Sequence, residues 1–149
     1  MKWNKVVKGG RKLFLGEFTH KIDSKNRIMM PSEFRDQLTE EFFITKGPEN
    51  SLVIYTNEEF QKQSQRLDDL VNENKKNRAI KRLFFSSTVK TSLDKQGRVL
   101  LNKNLKDYAE IDNEVMIIGN NLTIEIWDSK KWQSYINEVE VNLSDIMDN

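Results

Sequence analysis

Two five-residue segments of this chain place an aspartate four positions ahead of an arginine: Asp23-Ser24-Lys25-Asn26-Arg27 and Asp94-Lys95-Gln96-Gly97-Arg98. Each aspartate can accept hydrogen bonds from backbone N–H groups just downstream and so shape a turn. Each arginine has two options. It can pair with its own aspartate and stiffen the loop, or it can turn its planar fork on a phosphate or a base edge. The residue before each arginine is Asn26 or Gly97, the residue types that tolerate left-handed backbone. A type I turn followed by a left-handed residue and a bulge is a common three-residue hairpin loop. Asp23, Asn26, Asp94 and Gly97 are therefore expected to form two hairpin turns. Lys21, Lys25 and Arg35 surround the first, and Lys90, Lys95 and Lys103 the second. Both loops are basic, which suits an anionic partner, but these residues alone leave a nucleic-acid role and a purely structural role equally open.

Other chemistry finds little support. The 149 residues include no cysteine and one histidine, His20, so disulfides, thiol nucleophiles, Cys-ligated metals and multi-histidine metal sites are excluded. A carboxylate dyad of the aspartic-protease kind requires small residues beside each aspartate, whereas Ser24-Lys25 and Lys95-Gln96 follow here and the lysines favour ionised carboxylates. There is no Gly-rich phosphate loop of either common spacing. The reading is of a non-enzyme without a cofactor. The apolar runs, such as Val115–Ile118, fall far short of the roughly 20 residues of a membrane span. The basic start lacks the apolar core of a secretory signal, so a cytoplasmic protein is expected.

The elements that must position the two turns come in duplicate. Ile22 to Ile28 aligns with Leu93 to Val99 at a spacing of 71 residues, Phe34 then falls on Leu105, and Ile44 on Val115. One inserted residue later, Gly47 falls on Gly119, Ile54 on Ile126, Tyr55 on Trp127 and Phe60 on Trp132. The chain is a tandem duplication. In the first half, strands are expected over Phe14–Ile22, Arg27–Met30, Phe42–Ile44 and Leu52–Tyr55. A short helix opens at Pro31 and runs to about Leu38, and another starts behind a Thr56/Glu59 capping pair. In the second half, strands are expected over Ser87–Leu93, Val99–Leu101, Val115–Ile118 and Leu122–Trp127, with Asn102 and Asp128 as helix caps.

The organisation read from this is a basic leader at 1–13, a first repeat at 14–60, a helical connector at 61–86, a second repeat at 87–138 and an acidic tail at 139–149. The connector shows helical apolar spacing on either side of a break at Asn72-Glu73-Asn74, and its apolar stripes read as packing surface. The leader reads as disordered or, in the alternative, as a nucleic-acid-binding arm. Charge follows the same gradient. Residues 1–35 carry nine Lys/Arg against three Asp/Glu, and residues 110–149 carry two against nine, although the whole chain is only +1. A localised basic face is thus compatible with a near-neutral total.

The segment from Phe14 to Pro31, the second Asp94-x-x-x-Arg98, the Gly119 turn and Ile124-Glu125-Ile126-Trp127 together resemble the MraZ family over roughly residues 14–138. The resemblance implies an α+β fold built from two swapped-hairpin, AbrB-like β-barrel half-domains with short helices, related by a pseudo-twofold within one chain. It implies a ring-shaped homo-oligomer and a nucleoid-associated regulator that binds short direct repeats in double-stranded promoter DNA, upstream of its own gene in the division and cell-wall cluster. On this resemblance Arg27, with Lys25 and Lys21, is the principal DNA contact, and Arg98 with Lys95 is a second contact or a structural counterpart. Asn26 stands where the family more often has glycine, and family chains usually begin near the position of Leu13. The competing reading is a ring-shaped protein-interaction scaffold without specific DNA binding, with the connector helices and acidic tail as its working surfaces. An antitoxin-like role is a third, made less attractive by the duplication.

Overall fold

The computed structural model describes residues 13–70 and 74–139, together with Ser144; the expectations for residues 1–12, for Asn72 and Glu73 of the connector break and for nearly all of the acidic tail lie outside the described residues. In chain order the elements are β1 (Phe14–Lys21), β2 (Arg27–Met29), α1 (Ser32–Arg35), β3 (Phe42–Lys46), β4 (Leu52–Thr56), α2 (Asn57–Asp68), α3 (Lys75–Ser87), β5 (Val89–Thr91), β6 (Arg98–Leu100), α4 (Lys103–Tyr108), β7 (Glu114–Asn121), β8 (Thr123–Asp128) and α5 (Ser129–Val139). Four helices begin on a side chain that accepts from an otherwise unpaired backbone N–H of the first turn. Thr56 receives the amide of Glu59 at 3.3 Å, Asn74 that of Asn77 at 3.1 Å, Asn102 that of Leu105 at 2.8 Å and Asp128 that of Lys131 at 3.3 Å.

Among the described residues, eight strands form two antiparallel sheets. The larger has the order β1-β7-β8-β4-β3-β5, and the smaller is the β2–β6 ribbon. The order explains how the duplicated sequence makes one body. Strand β1 of the first half pairs with β7 of the second, and β5 of the second half pairs with β3 of the first. The halves meet at β4–β8, centred on Val53 opposite Glu125, and again in the ribbon, centred on Ile28 opposite Val99. Both centres join equivalent positions of the two repeats, as a pseudo-twofold requires. The hydrogen-bonded sheet ends at β1 and β5, and the ribbon shares its core: Ile28, Met30, Val99 and Leu101 are fully buried with Ile44, Ile54, Ile117 and Ile126. The fold is α+β and doubled, with each half supplying strands to the other.

Four local expectations need correction. The helix expected from Pro31 to Leu38 is regular only over Ser32–Arg35, with Pro31 at the cap; Gln37 and Leu38 continue it as tighter turns onto the carbonyls of Phe34 and Arg35. The strand expected over Ser87–Leu93 is Val89–Thr91, because α3 runs on through Ser87. The hydroxyls of Ser87 and Thr88 both bond to the Phe84 carbonyl and finish that helix. Gly119 is not a turn residue. It lies inside β7, opposite Gly16 of β1 and Ile124 of β8, and the hairpin turns at Asn121, whose φ is 69°.

The fourth correction concerns register. In the two hairpins Ile44 faces Ile54 and Ile117 faces Ile126, so Ile44 corresponds to Ile117 and not to Val115. The swapped pairs agree, since Phe42 faces Thr91 while Val115 faces His20.

Helices α1 and α4 carry one buried anchor each, Phe34 and Leu105. The Phe34 ring meets Phe14 at 5.3 Å and Phe18 at 5.2 Å between centroids, both edge to face. On the far side of the sheet, Phe43, Phe60 and Phe84 stack at 4.0 and 5.9 Å and join α2 and α3 to β3. That packing uses only part of the apolar stripe: Ile80, Leu83 and Phe85 remain 42%, 52% and 37% exposed.

Candidate nucleic-acid interface

Both Asp-x-x-x-Arg segments fold into the hairpin turns expected of them, with matching geometry. Asp23 Oδ1 accepts the backbone N–H groups of Lys25 and Arg27, both at 2.9 Å, while its Oδ2 accepts Arg27 Nε at 2.8 Å. Asp94 Oδ1 accepts the amides of Gln96 and Arg98, both at 2.9 Å, and its Oδ2 accepts Arg98 Nε at 2.8 Å. The backbone closes each turn beneath them, with Asp23 N–H on the Arg27 carbonyl at 3.0 Å and Asp94 N–H on the Arg98 carbonyl at 2.8 Å. Asn26 and Gly97 stand in the left-handed region at φ 63° and 83°. Donation from the Arg27 and Arg98 backbone amides is the largest influence on the two carboxyls and holds both below their ordinary value of 3.8, against a smaller opposing effect of desolvation.

Of the two options open to them from sequence, the structure shows the first, and it leaves the fork free of protein partners for the second. Each gives Nε to its own aspartate, which fixes the plane of the guanidinium. Among the described residues neither arginine makes a hydrogen bond or ion pair through its terminal nitrogens, and the two side chains remain 28% and 24% exposed. An arginine oriented from behind and open at the fork is preorganised for a planar acceptor. The same geometry removes the dyad: each aspartate directs both oxygens into its own turn. Among the described residues no group of three or more His, Cys, Asp or Glu side chains could hold a metal ion.

The cations around the turns are distributed crosswise. Arg35, expected beside the first turn, lies over the second: a Cβ at Gly97 would lie 2.8 Å from Arg35 Nη1 and closer still to its Cδ. Its counterpart Lys106, which sequence reasoning had not singled out, lies at the first turn and donates from Nζ to Asn26 Oδ1 at 2.9 Å. The carbonyls of the left-handed residues cross as well, Asn26 accepting from Leu101 N–H and Gly97 from Met30 N–H, both at 2.9 Å. Asparagine in the first turn thus meets a lysine, and glycine in the second makes room for the bulkier arginine. The available signal was the 71-residue spacing of Arg35 and Lys106, but it points to the crossing only once the swap is known.

Lys25 and Lys95 project from the turn tips, both exposed. Lys21 ends β1 opposite Glu114 of β7 and is also exposed. Between the turns, the β2–β6 ribbon buries Ile28 and Val99 and presents Arg27, Met29, Arg98 and Leu100 on its other face, by strand alternation. Arg27 faces Leu100 across the ribbon, and Met29 faces Arg98.

Comparison with known proteins bears on this arrangement. The family model described as "MraZ protein, putative antitoxin-like" matches twice, over residues 13–83 and 84–149. Three proteins named "Transcriptional regulator MraZ" are similar along nearly the whole chain. That of Finegoldia magna is 43% identical over 136 residues, 91% of this chain and 95% of its own length. That of Clostridium tetani is 44% identical over 134 residues, covering 90% and 94%. That of Pediococcus pentosaceus is 39% identical over 137 residues, covering 92% and 96%.

Proposed function

This chain belongs to the MraZ family, and from that premise we propose that it is a DNA-binding regulator of transcription that reads sequence through the Asp-x-x-x-Arg turns and the ribbon between them. The observation that carries the reading is the pair of arginines held at Nε and open at the fork, ringed by Lys25, Lys95, Lys106 and Arg35. Lysines at the turn tips contact phosphate and set register, while Arg27 reads a base edge, most simply guanine O6 and N7. Lys21 flanks the first turn; Arg98 and Lys95 act in the same way at the second. Asp23, Asn26, Asp94 and Gly97 hold the turn shape.

One such surface is small, and few phosphate contacts bind weakly at physiological salt. A ring of identical subunits facing short direct repeats overcomes this by effective concentration, which adds roughly 10²–10⁴-fold without new contacts. The DNA upstream of the chain's own gene, within the division and cell-wall cluster, is the proposed target. A nucleoid-associated protein in the cytoplasm follows from that role, and no helix among the described residues is long and apolar enough to cross a membrane.

The test is fluorescence anisotropy on that upstream DNA and on scrambled DNA of equal length, over a salt series. Parent protein should prefer the upstream DNA, and Arg27→Ala should lose about 1–3 kcal/mol per engaged site. Equal affinity of parent and Arg27→Ala at matched salt removes Arg27 as the reader. An intact oligomer with no DNA binding at all favours the scaffold reading, for which the exposed Ile80, Leu83 and Phe85 are the surface.

A further inference from the structure

The outer face of the β2–β6 ribbon carries an apolar side chain where a phosphate-binding surface has no use for one. Leu100 is 58% exposed, among the most exposed large apolar residues described. It stands directly opposite Arg27, and the adjacent pair on the same face is Met29 with Arg98. Side chains directly opposite across an antiparallel pair have Cβ atoms roughly 5 Å apart. The four therefore form one small patch, with guanidinium groups at one diagonal and apolar side chains at the other. Cationic residues border it at both ends: Lys25 and Lys106 at the first turn, Lys95 and Arg35 at the second.

That composition selects an occupant. A protein partner of ordinary surface would leave the bordering cations without matching charge, whereas a polyanion with apolar groups set into its surface satisfies both parts. Duplex DNA offers that combination in the major groove, where phosphates line the walls and each thymine projects a C5-methyl group from the floor. The groove, about 12 Å wide, admits a two-stranded β-ribbon. With the ribbon seated, arginine forks and the Leu100 side chain reach the floor from the same face.

We propose that Leu100 is a specificity-determining residue that reads a thymine methyl group next to the base contacted by Arg27, with Met29 covering the same apolar strip. This rests on the DNA-binding reading above and adds to it: the arginines select hydrogen-bond acceptors, and Leu100 selects the methyl. The recognised sequence then contains thymine adjacent to the arginine-contacted base. The apolar diagonal also accounts for an exposed leucine inside a cationic surface.

The experiment uses two forms of the upstream DNA, one natural and one with every thymine replaced by deoxyuridine, which lacks only the methyl group. Binding of the full chain is read by anisotropy at one salt concentration, with parent, Leu100→Ala and Arg27→Ala. Parent should bind the deoxyuridine duplex more weakly by about fourfold for each methyl contacted, the equivalent of one buried CH2 group. Leu100→Ala should bind both duplexes alike, and Arg27→Ala should retain the difference between them at lower overall affinity. If parent prefers upstream to scrambled DNA yet is indifferent to deoxyuridine, the Leu100 assignment falls and the DNA-binding reading stands. If Leu100→Ala keeps the full sensitivity to deoxyuridine, the methyl is read elsewhere and the assignment also falls. If parent shows no preference for upstream DNA, the underlying reading fails and takes the assignment with it. Light scattering on Leu100→Ala completes the test, since a changed oligomeric state would make this face a subunit contact and overturn the proposal.

Discussion

Replacing Gly97 by alanine should destabilise the fold for two separable reasons. The first is backbone: φ is 83°, and a Cβ there meets the adjoining carbonyl at a cost of roughly 1–2 kcal/mol. The second is the crosswise packing, because the new methyl would overlap the Arg35 side chain that crosses from the other half. Displacing a packed side chain costs about 1–3 kcal/mol. Alanine recovers roughly 0.4–1 kcal/mol by restricting the unfolded chain, which leaves a net loss of about 1–5 kcal/mol. Urea denaturation of four proteins separates the parts: parent, Gly97→Ala, Arg35→Ala and the double variant. In the Arg35→Ala background the collision is gone, and Gly97→Ala should cost only its backbone share. Gly97→Asn in the parent background tests the converse, since asparagine tolerates the left-handed region and only the collision remains. The reasoning is refuted if Gly97→Ala costs the same with and without the Arg35 side chain, for then that side chain does not pack on Gly97.

Three further outcomes are expected. Asp23 and Asp94 have carboxyls held below 3.8, so the stability they contribute is fully present above that value and is lost as pH falls through the lowered values. The difference in urea midpoint between parent and the Asp23→Asn/Asp94→Asn double variant should therefore shrink in strongly acidic buffer, and a difference that ignores pH would contradict the assignment. Gly119→Ala would push a methyl against backbone atoms of Phe14 and Leu15 in the neighbouring strand; since backbone cannot rotate aside, hydrogen exchange in β1 should accelerate, and unchanged protection there would count against the close approach. Phe34→Ala removes a ring that is 1% exposed and packed edge to face on two others, so thermal or urea unfolding should report a loss of about 3–5 kcal/mol.

Much of this architecture is legible in the amino-acid order, and what escapes does so for definable reasons. The two turns can be read because their requirements are local: a carboxylate, a residue tolerant of positive φ and an arginine suffice. Helix starts at Thr56, Asn102 and Asp128 are legible on the same ground. Partner choice is different. Periodicity says that Phe14 and Phe42 are buried, but not that β1 lies on β7 while β3 takes β5. Proximity in sequence places Arg35 and Lys103 at their own turns, whereas Arg35 lies over the other turn and Lys106 is the lysine at the first. The register of β3 against β7 is not legible, because Val115, Met116 and Ile117 are all buried and a continuous apolar run has no phase to align. The strand expected from Ser87 starts later because the Ser87 and Thr88 hydroxyls close α3 on the Phe84 carbonyl, a use of those side chains that their types alone do not announce.

The swap has a consequence for synthesis. Phe14 pairs with Asn121 and Lys21 with Glu114, so β1 leaves the ribosome long before its partner exists. At translation rates of roughly 5–20 residues per second, its hydrogen-bonding edge waits on the order of 5–20 s for β7. The β3–β4 hairpin and α2 are local and can form early, but β8, which lies beside β4, also arrives late. A nascent first half therefore displays an unpaired strand and an open sheet edge, the features by which two growing chains on one messenger would exchange strands. Joining both repeats in a single polypeptide gives β1 a partner at high effective concentration as soon as residues 114–121 emerge, and so favours closure within the chain over pairing between chains.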